Sequence, residues 1–513
     1  MVKASQTTIF APLSECPVTY FKCTKCGSLN EFTKSSGFYD SKIDPTFAHY
    51  YVDVGAGVEE IIDPLARISQ LFTKGRHNGL PISLLELGCG CGFGVHYATA
   101  IQEWNATGIE PGGYGAIGRS ELGAIIHTQP LGQGSPADGT LFDIIYASEV
   151  IEHISDPKAF LGITAMHLKD DGVLVLTTPL ADFISEDNPS NEVYASLFPG
   201  EHKIILSENG VFALLRESGF QHIKVERRTP ANIVIQASKR TELHSLYHSA
   251  DDALFSRSEA IRYLRLFNDS SRLRQPLRAS TRVKLAMTTR LIKVLTNAGE
   301  IQAAAELIRA STPQLIQCLQ IKSIDGHTCQ LYTPDIEPRI VPKSVFTACL
   351  LSISQESLLT TSGLQPYPKE GLAFAKNLGF YACMVLLNNS KPACSAELRD
   401  AGRYLESFID HALEMRNSPS SIYFIEFIDM LGPALTCLLL IRIRLGLPAD
   451  LADFPEYSEK WFSARYQRSY NDILGLTTSK DKPIEKEEGG HRSTFKSRLW
   501  SLSRRLFSFT KGA

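Results

Sequence analysis

The sequence has no uninterrupted apolar run near the roughly 18 residues that would mark a membrane-spanning helix, so none is expected. No excess of either charge appears. The 52 basic residues against 55 acidic ones leave a net charge of -3, and the broad basic footprint of a nucleic-acid binder is missing. The N-terminus lacks the basic-then-apolar order of a secretory signal. Cysteine is not scarce, but the 11 cysteines fall in no framework of pairs, which excludes a disulfide scaffold and fits a reducing cytosol. No internal repeat is visible, so a solenoid is excluded. A chain of 513 residues with an apolar share of 43% has ample material for buried cores and for two to four domains.

The rest of the chain is organised around Leu84-Leu85-Glu86-Leu87-Gly88-Cys89-Gly90-Cys91-Gly92-Phe93-Gly94. Ile82 to Leu87 reads as a buried strand and Phe93 to Gln102 as a helix, with a glycine turn between them. Such a turn lets a bare backbone approach a nucleotide-like ligand. A dinucleotide fingerprint counted from Gly88 needs glycine at position 93, where this chain has phenylalanine. The pattern is instead acid-x-Gly-x-Gly-x-Gly. A second strand, Ala106 to Glu110, ends in a carboxylate. Adjacent parallel strands put Glu86 and Glu110 side by side at their C-terminal ends, where open α/β sheets bind ligands. The alternative for Glu110 is a helix-capping acid before Pro111 and Gly112.

Three further stretches follow in order. Phe142 to Ala147 reads as a buried strand, leading into Ser148-Glu149-Val150-Ile151-Glu152-His153-Ile154-Ser155-Asp156-Pro157. Leu168 to Pro179 reads as a helix end, a turn and a fifth strand. Gly200-Glu201-His202 precedes a helix ending near Gly219-Phe220. With the glycine loop, these motifs closely resemble the class I S-adenosylmethionine (SAM) methyltransferases of the ubiquinone-biosynthesis and sugar-methyltransferase type, over about residues 50–240. Asp171 departs from that pattern, which usually has a second glycine in its turn.

The resemblance implies an α/β fold with a Rossmann-like seven-stranded sheet, closed by an antiparallel hairpin of His222 to Arg227 and Ala231 to Ala237. It implies SAM as cofactor, held by Glu86, Gly88, Gly90, Gly92, Glu110, Ser148 and Glu149. Glu86 would take the cofactor's ammonium, directly or through water, and Glu110 its ribose hydroxyls. His153 and His202 are the candidate bases for an oxygen nucleophile, or else structural residues of their loops. Some relatives hold a divalent ion at the positions of Glu149, Glu152 and His153. The expected activity is O-methylation of a sugar or glycan hydroxyl in cell-envelope polysaccharide biosynthesis. The alternatives are a quinone-like acceptor, or a non-catalytic interaction protein that keeps the fold as a scaffold.

Residues 1–49 form a front end. Cys16, Cys23 and Cys26 resemble part of a zinc knuckle, since thiolates at the Cys23-x2-Cys26 spacing can share one tetrahedral ion. The second cysteine of the first pair is missing, and His49 is the candidate substitute. The alternative is a degenerate knuckle that packs without metal. Val58 to Phe72 has the apolar spacing of a helix, with Pro64 expected to kink it or to mark its first turn.

Residues 241–477 change character and read as mainly helical, with short strands around Gln330 to Val341 and a buried core helix over Phe424 to Leu445. Cys318, Cys329, Cys349, Cys383, Cys394 and Cys437 lack ligand spacing and read as core residues. This region would bind acceptor, form a homo-oligomer or dock a partner enzyme. Residues 478–513 are a charged linker and a basic amphipathic tail, in which Phe495, Leu499, Leu502, Leu506 and Phe509 share a narrow arc at about 100° per residue. Such a tail suits peripheral contact with an anionic inner leaflet, or packing on the helical domain. The expected location is cytoplasmic, at most peripheral to the inner membrane.

Overall fold

The computed structural model describes residues 4–9, 18–31, 51–75, 81–132, 134, 137–185, 187–188, 190–198, 201–247, 250–269, 277–318, 324–325, 328–329, 372–389, 393–416 and 423–447. The chain forms two compact units, Met1–Lys284 and Leu285–Ala513.

The first unit holds a seven-stranded mixed sheet. Its members are β4 (Ser83–Leu87), β5 (Asn105–Ile109), β6 (Ile126–His127), β7 (Phe142–Ser148), β8 (Leu168–Pro179), β10 (His222–Arg227) and β11 (Asn232–Ser238), in the order β10-β11-β8-β7-β4-β5-β6. Strands β4 to β8 run parallel. Strand β11 is antiparallel to both β8 and β10. Order reverses between β4 and β7, and the crevice at such a switch point is where this architecture binds ligands. The Rossmann-like seven-stranded sheet and its closing hairpin are therefore as expected.

Period-two alternation builds the two faces. Leu85, Leu87, Ile145, Ala147, Leu174, Leu176, Ile233 and Ile235 form one buried layer, together with Leu161 of α3 (Pro157–His167) and Val211 and Leu215 of α5 (Glu208–Glu217). The caps that start these helices are legible. Asp156 accepts from the Ala159 amide, and Ser207 from that of Gly210, each satisfying a first-turn donor. On the other face lie α1 (Val58–Gly75), α2 (Phe93–Ala100) and α6 (Ala250–Arg265).

Three features differ from the sequence reading. Helix α1 starts at Val58 and runs through Pro64, so of the two alternatives for that proline the first-turn one does not hold. Proline removes one helical donor, and close to that gap the Ile61 carbonyl accepts from Tyr146 Oη at 3.1 Å. Residues 168–179 are one long strand, because the expected turn is a register shift. Phe142 pairs with Leu168, but Ile144 already pairs with Val173, so exposed Asp170 and Asp171 bulge outward.

The third concerns residue 240, where the sequence reading closed the domain. The compact unit continues to Lys284. Helix α6 returns to the sheet, where Tyr97 Oη donates to Glu259 at 2.9 Å and His96 Nδ1 lies 2.9 Å from Tyr263 Oη. Arg282 closes on buried Asp53, its Nε 2.6 Å from Oδ1.

A second sheet, antiparallel throughout, has the order β1-β2-β3-β9, from β1 (Ala4–Ile9), β2 (Val18–Cys23), β3 (Leu29–Glu31) and β9 (Ile204–Ile205). Cys23 and Cys26 lie on the turn between β2 and β3. The amides of Cys26 and Lys25 hold the Cys23 thiol below its ordinary range. Cys16 and His49 lie outside the described residues, so the expected zinc set is not assembled among them.

The described part of the second unit is helical, comprising α7 (Thr281–Ala298), which begins at the end of the first unit, α8 (Ile301–Cys318), α9 (Leu372–Asn388), α10 (Ser395–Arg416) and α11 (Tyr423–Leu445). A two-strand pair joins Ile324–Asp325 to Thr328–Cys329, while the strands expected at 330–341 lie outside the described residues. Helix α11 buries Leu435 to Ile441, as a core helix should. Cys383 and Cys437 are buried, but Cys394 is exposed, which corrects its reading as core. It sits in the turn leading into α10, where its thiol faces the amide of Glu397. The side chains of Cys318, Cys329 and Cys349 and the tail at 478–513 lie outside the described residues. No described helix is long and apolar enough to cross a membrane.

Candidate active site

The loop after β4 has three consecutive odd turns. Gly88, Gly90 and Gly92 have φ of +61°, +52° and +72°, a region that side chains enter at a cost. A Cβ on Gly88 would lie 2.6 Å from Val150 Cγ2, and one on Gly92 would lie 2.5 Å from Ile126 Cδ1. A Cβ on Gly90 would meet nothing within 4 Å. Two of the glycines thus serve packing, and the third faces open space.

Two carboxylates border that space. Glu110, directly beyond β5, accepts the Gly90 amide on Oε2 at 2.9 Å and the Gly112 amide on Oε1 at 2.7 Å. Glu86, in β4, is buried. The Val95 amide donates to its side chain, and its Oε2 has no hydrogen-bond partner among the described residues. Burial, aided by the charge of Glu110, pushes the Glu86 carboxyl up to about 8. Gly94 makes room for Glu86, since a Cβ there would lie 2.5 Å from Oε2.

A second group gathers where β7 and β8 end. Thr177 Oγ1 donates to Glu149 Oε1 at 2.9 Å and lies 2.8 Å from Ser148 Oγ. Thr178, pointing to the opposite face of the strand, donates to Glu152 Oε2 at 3.0 Å. Glu152 is fully buried. Desolvation, then the charge of Glu149, pushes its carboxyl well above the usual range.

His153 Nδ1 lies 3.0 Å from the Glu201 carbonyl, and His202 Nδ1 lies 2.8 Å from that of Ser196. The two rings meet edge to face, with centroids 4.8 Å apart. Burial depresses His153 to about 4 and His202 to about 3. Both are neutral at pH 7 and weak proton acceptors. Two non-glycine residues with positive φ, Glu149 (53°) and Phe198 (31°), mark the two loops that carry this pair. Strain of this kind collects at functional sites.

A family model described as a methyltransferase domain matches residues 51–225. These residues form a class I SAM-dependent methyltransferase domain. The chain is 28% identical over 152 residues to the O-methyltransferase cnsE of Penicillium expansum, a match covering 28% of this chain and 53% of that protein. It thus spans about half of that relative's length. Among solved structures it is similar to phosphoethanolamine N-methyltransferase 2 of Haemonchus contortus with SAM bound. That match has 14% identity and a TM-score of 0.27, over 34% of this chain and 52% of the other. A second is the CMeT domain of the citrinin polyketide synthase, with 16% identity and a TM-score of 0.29, over 34% and 51%.

In the methyltransferase domain, Glu86, Gly88, Gly90, Gly92 and Glu110 come together around the first loop. Ser148 and Glu149 stand at the end of the neighbouring strand β7. The structure brings His153 and His202 into contact although they are far apart in sequence. Sequence reasoning missed Thr177 and Thr178, whose hydroxyls orient the two glutamates. The signal was there, since two threonines at the C-terminal end of a buried parallel strand face opposite sides. It also missed Asp63 of α1, which accepts from Tyr247 Oη at 2.7 Å and pairs with Arg67 and Arg228.

Proposed function

We propose that the protein transfers a methyl group from SAM to an oxygen of a small-molecule or glycan acceptor, with a sugar hydroxyl as the acceptor class. The observation that carries the SAM part is the open space at Gly90, bordered by Glu110 and by buried Glu86, whose Oε2 has no hydrogen-bond partner among the described residues. A cationic group beside Glu86 would satisfy that oxygen. Diol hydroxyls can share the carboxylate of Glu110, whose oxygens keep further lone pairs after accepting one amide each. The bound cofactor supplies the methyl group and the leaving sulfide in an in-line displacement. The protein's part is alignment and exclusion of water. The Penicillium expansum O-methyltransferase supports transfer to oxygen.

His153 and His202 are weak bases in this setting. Their role in proton removal would be as neutral acceptors that orient a hydroxyl. Residues 241–477 would contribute acceptor binding, self-association or a partner-enzyme surface. The tail would hold the protein at the inner leaflet of an anionic membrane in the cytoplasm, and no nucleic acid is involved.

The test is direct. Calorimetry should show one SAM site per chain. Incubation with labelled SAM and cell-envelope extracts should then label a glycan or its precursor. Failure to bind SAM would leave the fold as a scaffold for interaction. SAM binding with label in a quinone-like product would reassign the acceptor. Co-sedimentation with anionic liposomes, with and without residues 491–513, tests the membrane contact.

A further inference from the structure

We propose that the methyl acceptor carries an oxyanion, a carboxylate or a phosphate, and that the guanidinium fork of Arg228 receives it at the ligand end of the sheet. This deepens the reading of the protein as a methyltransferase acting on a sugar-type acceptor, and rests on it.

Topology places Arg228 at that end. Strand β10 is antiparallel to β11, which is antiparallel to β8, so β10 finishes on the same side as the parallel strands. Arg228 is the first residue beyond β10. Its amide donates to the Asn232 carbonyl at 3.0 Å, and Asn232 pairs with Pro179 at the end of β8. The side chain turns towards α1, with Nε 3.8 Å from Asp63 Oδ2. Its charge acts on Tyr146 and Glu149 at the end of β7, the strand next to β4 and its glycine loop.

Two arginines face Asp63, and only one of them is used up there. Asp63 Oδ1 accepts from Arg67 Nε at 2.7 Å and from the Ser256 hydroxyl, and Oδ2 accepts from Tyr247 Oη at 2.7 Å. Arg67 also donates through Nη1 to the Leu246 carbonyl at 2.8 Å and lies 4.0 Å from the centroid of the Tyr247 ring. Arg228 is different. Its side chain is 16% exposed, and its distance to Asp63 exceeds a hydrogen bond. Its guanidinium makes no hydrogen bond among the described residues. Five donors drawn largely out of water without acceptors are costly. A carboxylate or phosphate satisfies them two at a time, in the plane of the fork.

The frame around the fork is fixed. Glu226 of β10 accepts the Leu246 amide at 2.9 Å and the Gln236 side-chain amide at 3.0 Å, which holds the segment bearing Tyr247 against the hairpin. Burial opposes the Arg228 charge, but Glu60 and Asp63 outweigh it, so the group stays a cation. Glu60 is exposed, where salt screens its repulsion of an incoming anion. Glu149 turns Oε1 to the Thr177 hydroxyl. The histidine pair, anchored on α4 (Ser190–Leu197) through the Ser196 carbonyl, makes none of these contacts.

The experiment uses the full chain and the arginine reagent phenylglyoxal, with Arg228 mapped by mass spectrometry. Glucuronate and glucose 1-phosphate are the probes. Glucose and sodium chloride at matched concentration are the controls. We expect one or both anions to slow modification of Arg228 several-fold, while exposed Arg240 reacts at one rate throughout. Protection by glucuronate alone assigns a carboxylate, and by glucose 1-phosphate alone a phosphate. Equal rates at Arg228 in all solutions would overturn the proposal. This arm needs neither a variant nor cofactor, so a failure of SAM binding and a failure of the Arg228 site are told apart.

A second arm takes the labelled product formed from cell-envelope extracts. It should be retained on an anion exchanger at pH 7, and a neutral product would overturn the proposal. Arg228→Gln should raise KM for that acceptor at least about tenfold, the lower end of what a lost hydrogen bond to a charged group costs, with SAM affinity by calorimetry unchanged. Arg228→Lys, which keeps the charge and loses the fork, should lie between. Both variants should fold, as thermal denaturation will show, because Asp63 keeps Arg67. An unchanged KM in Arg228→Gln would overturn the proposal. A fall in SAM affinity equal to the rise in KM would do so too, since Arg228 would then act through the packing of the domain.

Discussion

Glu110 and Gly90 are joined across the tip of the first loop, carboxylate Oε2 accepting the glycine amide at 2.9 Å. The bond links the ends of two neighbouring parallel strands, since β4 and β5 pair in register up to Leu87 and Ile109. It fixes the loop with the Gly90 backbone facing open space. The same carboxylate also holds the Gly112 amide, so one residue positions both turns that border the proposed cofactor site.

The first prediction separates binding from folding within that loop. Gly90→Ala places a methyl group where nothing lies within 4 Å. The positive φ costs about 1 kcal/mol for a non-glycine residue, so the fold should survive while SAM affinity falls below detection. Gly92→Ala brings its Cβ to 2.5 Å from Ile126 Cδ1 and should lower the melting temperature as well. Calorimetry with SAM and thermal denaturation of both variants check this. Undiminished SAM affinity in Gly90→Ala would remove the cofactor assignment.

The second prediction concerns Glu86 and pH. With no cation beside it, burial pushes its carboxyl up to about 8. A cation beside it favours the ionised form and lowers that value. Binding at pH 7 should therefore release a proton. Affinity should rise from pH 6 to about 8 and level off above, and Glu86→Gln should flatten the curve. In the unbound protein the sign for stability is the reverse. A raised folded value means that stability is greatest below the unfolded carboxyl's range and declines as pH rises towards 8. Calorimetry at pH 7 in buffers of different ionisation enthalpy measures the proton directly, and a buffer-independent enthalpy would refute the idea.

The third prediction tests Glu110. Glu110→Ala removes a charged acceptor from the Gly90 and Gly112 amides and from the proposed ribose contact. SAM binding should weaken by about 1.5–3 kcal/mol, the range for a hydrogen bond to a charged group. Glu110→Gln should keep part of the binding, since one amide oxygen can still accept.

Much of this site is legible in the sequence because its determinants are local. The glycine spacing, the acid two residues upstream and the carboxylate ending the next strand all lie within about one βαβ unit, and the parallel register does the rest. The histidine pair is legible only as two separate candidates. Their contact depends on how the Phe198–His202 turn meets the loop after β7, a tertiary relation that no periodicity records. The domain boundary was illegible for a similar reason. The composition changes near residue 240, but Tyr263, Phe267 and Glu259 belong to the core of the first unit by packing against Phe93, His96 and Tyr97. At Pro64 the sequence left a kink and a first turn open, and the apolar spacing that already begins at Val58 carries the helix through it.

The last prediction follows from that boundary. A chain ending at Arg240 contains every motif of the methyltransferase resemblance but lacks α6 and Arg282. It loses Tyr263, Leu264 and Phe267, all nearly or fully buried. Each large side chain of this kind contributes about 1.5–3 kcal/mol by burial. Asp53, with an inaccessible side chain, would also lose the Arg282 guanidinium. Removing one partner of a buried ion pair costs about 3–5 kcal/mol. Asp63 would lose the Tyr247 and Ser256 hydroxyls, though it keeps Arg67 and Arg228. These losses together match the whole stability of a typical domain, about 5–15 kcal/mol. The chain ending at Arg240 should therefore lack a cooperative melting transition, while one ending at Lys284 should melt cooperatively and bind SAM. Near-ultraviolet circular dichroism and differential scanning calorimetry distinguish the two. Equal melting temperatures for both chains would show that residues 241–284 are an appendage to the domain.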